Sequence, residues 1–295
     1  MRRYCKRLVV IFRLMAVASI FLSATQHSSA MEQPRVFRGA LLVEGKFEKG
    51  DYERLREFLA NKNNFDKIHS GVFLASPGGY IGEAIKIGRL IRSLRLSTDG
   101  PSGPPAGPER IGSSTILPPD LVKPSQNYLC ASACFLVYVA GINRKIAWAG
   151  RLGIHRPAPM GPDGKFAKDA PVGLVWRMHD DIRDYLAEMD VPGKYVDLMY
   201  SVPPASVRWI TQSELDADLR GFIPEVRDWV TPICGLQVSA GSRTPDFVGT
   251  SVWASGVSAR TSAERRDVFS PTRECWLTAK PALTDRAWHS VFEQR

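Results

Sequence analysis

Ser132 stands midway between Cys130 and Cys134 in YLCASACFLVYVAG (residues 128–141), and His155 follows 23 positions later in RLGIHRP (151–157). A serine hydroxyl is a weak nucleophile until a base takes its proton, and imidazole is the side chain with a pKa suited to that task near neutral pH. If a helix opens at about residue 132, the hydroxyl sits at its N-terminus and the Ala133 N–H is free to donate to a developing oxyanion. The same position also suits a plain helix N-cap. His155 ends a short apolar strand, where an aliphatic side chain would pack without needing a hydrogen bond. Upstream, LASPGGYIGEA (74–84) reads as a strand that runs through Gly78 and Gly79 into a helix. Glycines at such a turn let the backbone approach a ligand closely, and one of their N–H groups can form the second arm of an oxyanion hole. Each feature alone is common. A glycine pair, a serine at a helix start and a strand-end histidine, in that order, are a more specific combination.

The elements that would carry these residues alternate between strand and helix. VFRGALLVEG (36–45) reads as a strand, and GDYERLREFLANK (50–62) as an amphipathic helix with Leu55, Phe58 and Leu59 inward. GVFLAS (71–76) is a nearly all-apolar run, as expected for a strand buried on both faces. Ala84, Ile87, Ile91 and Leu94 then recur at helical spacing. SACFLVYVA enters a further apolar helix, short strands follow near 145–148 and 152–155, and helices are expected at about 172–190 and 193–201. Such alternation implies an α/β domain with parallel strands. Residues 100–124 interrupt it: eleven of these 25 are Gly or Pro, which makes a loop, either a surface excursion or a lid. The last 60 residues show no clear period but hold three of the seven tryptophans (Trp253, Trp276, Trp288), so a small subdomain or a partly ordered tail is expected there.

Composition narrows the function classes. The chain has 295 residues, 44% hydrophobic and 23% charged, which is globular rather than disordered. Arg2, Arg3, Lys6, Arg7 and Arg13 precede the apolar LMAVASIFL (14–22) and the small residues SSA (28–30), the order of a secretory signal peptide. We expect cleavage after Ala30 and an exported, periplasmic or otherwise extracytoplasmic protein; the alternative is an anchor formed by residues 8–24. Those five leader charges account for more than half of the +9 net charge, leaving +4. No basic stripe with interleaved aromatics remains, so nucleic-acid binding is not expected. Four cysteines remain after cleavage, an even number that permits disulfides in an oxidising compartment. Cys234–Cys275 is a candidate bridge. Cys130 and Cys134 at i,i+4 of a regular helix would have Cα atoms about 6 Å apart, within disulfide range but poorly directed. They are expected to be small apolar residues packing the helix, although export leaves open a bridge that would pin the Ser132 turn. CxxxC without a second pair or a histidine cluster makes zinc a poor reading, and no cofactor is expected.

ASPGGYIGEAIKIGRLI, then ASACFLVYVAG, then RLGIHRP resembles the ClpP/crotonase superfamily, specifically its ClpP-type serine peptidases. The resemblance covers roughly residues 36–225. It implies a ClpP/crotonase-like spiral of ββα units, with residues 1–30 a leader, 31–230 the domain with its insertion at 100–124, and 231–295 a C-terminal extension or small subdomain. It further implies Ser132 as nucleophile and His155 as base, with Gly79 (or Gly78) and Ala133 supplying oxyanion N–H groups. The acidic third member has no match: the corresponding VRWIT (207–211) places Val207 at its position. Loss of that carboxylate from a serine-protease triad costs about 10⁴ in turnover. Asp190 or Asp197 are the substitutes to consider, besides a Ser–His dyad or an inactive site. A related subgroup pairs serine with lysine, and Lys145 is the nearby lysine; acyl-CoA chemistry of the crotonase type fits an exported chain poorly.

Two readings follow. One is an exported serine hydrolase, an ATP-independent peptidase acting on peptide or protein substrates through an acyl-enzyme, with no ATPase partner and with homo-oligomerisation compatible with the resemblance. The other is a non-catalytic ClpP-like scaffold or binding protein of the cell envelope. The group that faces the His155 imidazole separates them.

Overall fold

The computed structural model describes residues 30–101, 129–146, 151–159, 172–234 and 270–293. The expected leader up to residue 29, most of the Gly/Pro-rich insertion and residues 235–269 lie outside them.

Chain entry is tied down at once. Ala30 bridges Lys46, Glu32 N–H donates to the Glu44 carbonyl at 2.9 Å, and Met31 is 3% exposed within the main core. The run expected as one strand is a hairpin of β1 (Arg35–Phe37) and β2 (Ala40–Glu44). Arg38 and Gly39 both take positive φ (47° and 80°), which is the backbone a two-residue hairpin turn requires.

From β2 the chain alternates as its pattern predicts. Helix α1 (Asp51–Ala60) buries Leu55 and Leu59, α2 (Lys62–Phe65) buries Phe65, and β3 (Gly71–Ala75) pairs parallel to β2 with all five residues buried. Helix α3 (Ile81–Ser93) turns Ala84, Ile87, Leu90 and Ile91 inward and leads to β4 (Thr98–Asp99), parallel to β3. The chain then builds β5 (Leu129–Ala131), α4 (Ala133–Tyr138) and β6 (Asn143–Lys145), the last parallel to β4. After β7 (Arg151–Ile154) come α5 (Val172–Glu188), α6 (Lys194–Ser201), β8 (Arg208–Trp209), the short α7 (Gln212–Glu214) and β9 (Gly221–Phe222).

These strands form two sheets. The larger has the order β1-β2-β3-β4-β6-β9, parallel through its centre and antiparallel at both edges. The smaller has the order β5-β7-β8, with β5 parallel and β8 antiparallel to β7. They meet where β3 ends: Ser76 N–H donates to the Leu129 carbonyl and Ala131 N–H to the Ser76 carbonyl, both at 3.0 Å. The fold is thus mixed α/β, as the alternation implies.

Helix α4 lies at the centre, and all six of its residues are buried. Fully burying Phe135, Leu136 or Val137 stabilises by roughly 1.5–3 kcal/mol each, which anchors this helix in the main core. Its end is held by polar side chains from neighbouring elements. Tyr185 Oη donates to the Leu136 carbonyl at 2.7 Å, Thr98 Oγ1 to the Tyr138 carbonyl at 2.7 Å, and Arg92 Nε to the Ala140 carbonyl at 2.8 Å. Those bonds satisfy carbonyls that a helix end leaves open.

The chain closes with α8 (Pro224–Cys234) and α9 (Ser270–Phe292), joined by the Cys234–Cys275 disulfide. Trp276 packs on Phe222 with ring centroids 4.8 Å apart, Lys280 Nζ donates to the His69 carbonyl, and Trp288 Nε1 donates to the Leu59 carbonyl at 2.8 Å. Trp288 belongs to the main core cluster, so α9 packs on the body of the protein instead of forming a separate unit. Among the described residues no helix is long and apolar enough to cross a membrane.

Candidate active site

Ser132 occupies the junction between β5 and α4, with φ 58° and ψ −123°. A non-glycine residue held in such a region costs about 1–3 kcal/mol, and the surrounding structure must over-determine it. Here its N–H donates to the Gly153 carbonyl of β7 at 2.9 Å, and its carbonyl accepts from Phe135 N–H at 3.0 Å. Its side chain makes no capping hydrogen bond. Ser132 is therefore the residue before a helix without acting as that helix's cap, and its hydroxyl is left facing a cavity.

The glycine pair packs beside the Ser132 turn. Gly78 has φ 106° and Gly79 φ 137°, values that L side chains rarely adopt. A Cβ on Gly78 would stand 2.6 Å from Ser132 Cβ and 2.7 Å from the Ala131 carbonyl oxygen, so the turn after β3 sits directly on the serine turn. A Cβ on Gly79 would meet the Phe47 backbone at 2.3 Å. The Gly78 N–H is committed: it donates to Ser76 Oγ at 3.1 Å. Neither the Gly79 N–H nor the Ala133 N–H has an acceptor among the described residues. Of the three donors named from the sequence, Gly79 and Ala133 thus keep free N–H groups. The buried Ser76 hydroxyl that accepts from Gly78 lies one residue beyond β3, and no motif in the sequence signals it.

His155 follows β7, half-buried, and lines one cavity with Ser132, Ala133, Ile81, Leu136, Pro157, Ile182 and Met199. Its Nδ1 lies 3.0 Å from the carbonyl oxygen of Arg156. With Nδ1–H donating to that carbonyl, the lone pair sits on Nε2, the tautomer a general base needs. Arg156 is itself fixed, its N–H donating to the Val202 carbonyl at 2.9 Å. Ser132 Oγ and the imidazole share the cavity without a hydrogen bond between them. No residue type signals this arrangement in advance, because the partner is main chain.

No carboxylate among the described residues lines the cavity. Asp190 pairs with Arg92 Nη1 at 3.0 Å, and Asp197 is exposed in the first turn of α6. β7 and β8 pair Gly153 with Trp209 and Ile154 with Arg208, and the pairing ends there, one residue before His155 and one after Val207. Lys145 is exposed on β6 in the other sheet and does not line the cavity. β8 is secured by Arg208, whose guanidinium donates to Glu214 at 2.8 and 3.2 Å; Thr211 adds a capping box on the same carboxylate. The Arg208 hydrogen bonds, more than any other influence, hold the Glu214 carboxyl down at about 2.

Two disulfides are present. Cys130 and Cys134 are bonded across Ser132 with Cα atoms 5.1 Å apart, where small unbonded core residues were expected. The expectation assumed a regular helix over all five positions. Instead Cys130 ends in a strand, Ser132 has positive φ, and only Cys134 is helical, which directs the two sulfurs toward each other. Cys234 and Cys275 are bonded over a separation of 41. By loop-closure entropy the short bridge stabilises by about 2 kcal/mol and the long one by about 4 kcal/mol. No group of three His, Cys, Asp or Glu among the described residues could hold a metal ion.

No protein-family model matches the chain, and no curated protein matches it. Among solved structures it is similar to ClpP1 from Listeria monocytogenes, at 16% identity and a TM-score of 0.38, over 60% of this chain and 85% of that one. It is also similar to 1510-N, a membrane-bound stomatin-specific protease, at 13% identity and a TM-score of 0.41, over 67% of this chain and 84% of that one.

Proposed function

We propose that this protein is an exported serine hydrolase, an ATP-independent peptidase that works through an acyl-enzyme. The observation that carries the reading is a serine in a strained turn, uncapped, sharing a cavity with a histidine whose Nδ1 faces a fixed carbonyl. In this mechanism His155 Nε2 takes the Ser132 proton as Oγ attacks the substrate carbonyl, and returns it to the leaving amine. Negative charge develops on the carbonyl oxygen between the Gly79 and Ala133 N–H groups. The Arg156 carbonyl keeps the imidazole in the working tautomer but neutralises less of its developing charge than a carboxylate would, so turnover is expected to be slow. Ile81, Leu136, Pro157, Ile182 and Met199 line the same cavity.

The rival is a scaffold that retains the geometry as packing, and a cavity lined by no carboxylate among the described residues is the observation in its favour. Labelling with a fluorophosphonate decides between them. We expect wild type to label at Ser132, Ser132→Ala not at all, and His155→Ala at a rate lower by about 10²–10⁴. Equal labelling of all three, or none of wild type, removes the hydrolase.

A further inference from the structure

We propose that Cys130 and Cys134 are positioning residues for Ser132: their disulfide clamps the turn that holds the nucleophile, and the hydrolase reaches full activity only in its oxidised form. The inference rests on Ser132 being the nucleophile. The bond joins the strand that delivers Ser132 to the first turn of the helix that leaves it, and the ring it closes contains only Ala131, Ser132 and Ala133 between the cysteines. Bridging so short a loop removes little freedom from the unfolded chain compared with the Cys234–Cys275 bridge. Its effect is local. It fixes the chain direction on both sides of the residue with the least favourable backbone conformation in the cavity, and on the strand side of the Ala133 N–H.

Both sulfurs lie in the main core with no exposed surface. Breaking the bond moves them from bonding distance to van der Waals contact, and a close-packed interior has no room to absorb that displacement. It falls on residues 131–133, against which Gly78 is already packed without space for a Cβ. Closing the bond takes two electrons and two protons from the thiols of Cys130 and Cys134 and passes them to a disulfide oxidant, which leaves as its dithiol. Once the fold is complete a thiol reductant has no direct approach to either sulfur. The clamp is therefore set during folding: a chain folded among thiols is a weak hydrolase, and one folded among disulfides an active one.

The test compares wild type, Cys130→Ala/Cys134→Ala and, as a control, Cys234→Ala/Cys275→Ala. Fluorophosphonate labelling is followed over a range of probe concentrations, and the backbone amide resonances of Gly79, Ser132 and Ala133 are recorded for each. We expect the first variant to unfold cooperatively yet to label about tenfold to a hundredfold more slowly at saturating probe, with its half-saturation concentration unchanged. Its Ser132 and Ala133 resonances should move. The control should label at the wild-type rate while folded. Wild-type labelling together with unmoved resonances in the first variant overturns the clamp and leaves the hydrolase standing. If wild type does not label, the hydrolase reading falls, and the resonances alone judge the clamp: unmoved, they overturn it too. Should the double alanine not fold, Cys130→Ala with Cys134→Val restores the volume of the sulfurs and takes its place.

Discussion

At the scale of single residues the cavity depends on atoms that are missing. Gly78 provides no side chain where a Cβ would lie 2.6 Å from Ser132 Cβ and 3.0 Å from the Ala133 nitrogen, and its φ of 106° would strain any replacement. Gly78→Ala is therefore expected to lower stability by about 1–3 kcal/mol and to slow Ser132 labelling by at least about tenfold. A urea titration and the labelling rate of the folded fraction measure the two effects separately; unaltered labelling would mean that Gly78 serves the fold alone. The residues at this site were the most legible part of the sequence, because each stands where a different side chain would be easier to accommodate. What was not legible is the partner of His155 Nδ1. A backbone carbonyl belongs to every residue type, and its position depends on how the chain turns after β7.

At the scale of elements, the histidine strand is only as well placed as β8 beside it. β8 has two residues, and the Arg208–Glu214 pair with the Thr211 capping box ties it down. Because the Glu214 carboxyl is held at about 2 against an ordinary 4.5, the unfolded chain binds its proton more readily. The pair's contribution is present in full above about pH 4.5 and is lost as pH falls toward 2. The melting temperature of wild type should exceed that of Glu214→Gln by a constant margin above pH 5, and the two should converge in acid. A margin that does not change with pH would show that the carboxylate's charge plays no part. The sequence pattern located helices α1, α3, α5 and α6 closely, but not α8 or α9. It did not mark β1 and β2 as a hairpin, since only Arg38 and Gly39 interrupt the apolar run and arginine is not a residue that favours the positive φ it takes there. The same limit hid the Cys130–Cys134 bond, which exists because the helix begins one residue after Ser132.

At the scale of the whole molecule, the described part of the C-terminal stretch, helix α9, contributes to the core. Helix α9 shows weak amphipathic order because it is held at discrete points: Cys275 to Cys234, Trp276 on Phe222, Lys280 to the His69 carbonyl and Trp288 to the Leu59 carbonyl. Trp288→Ala removes a buried ring and its hydrogen bond, and should cost about 3–5 kcal/mol in a urea titration. Labelling of Ser132 below the transition should be untouched, since Trp288 does not line the cavity. A loss of labelling in the folded variant would instead show that α9 and the site are coupled.

The docking of the chain's first described residues bears on cleavage at their start. Ala30 is paired with Lys46, its carbonyl fills the space where Gly45 lacks a Cβ, and Met31 is packed into the core. The 30–31 bond is therefore held in a paired and partly packed segment, and a protease that needs a free extended strand should cut it more slowly in the folded chain than in the unfolded one.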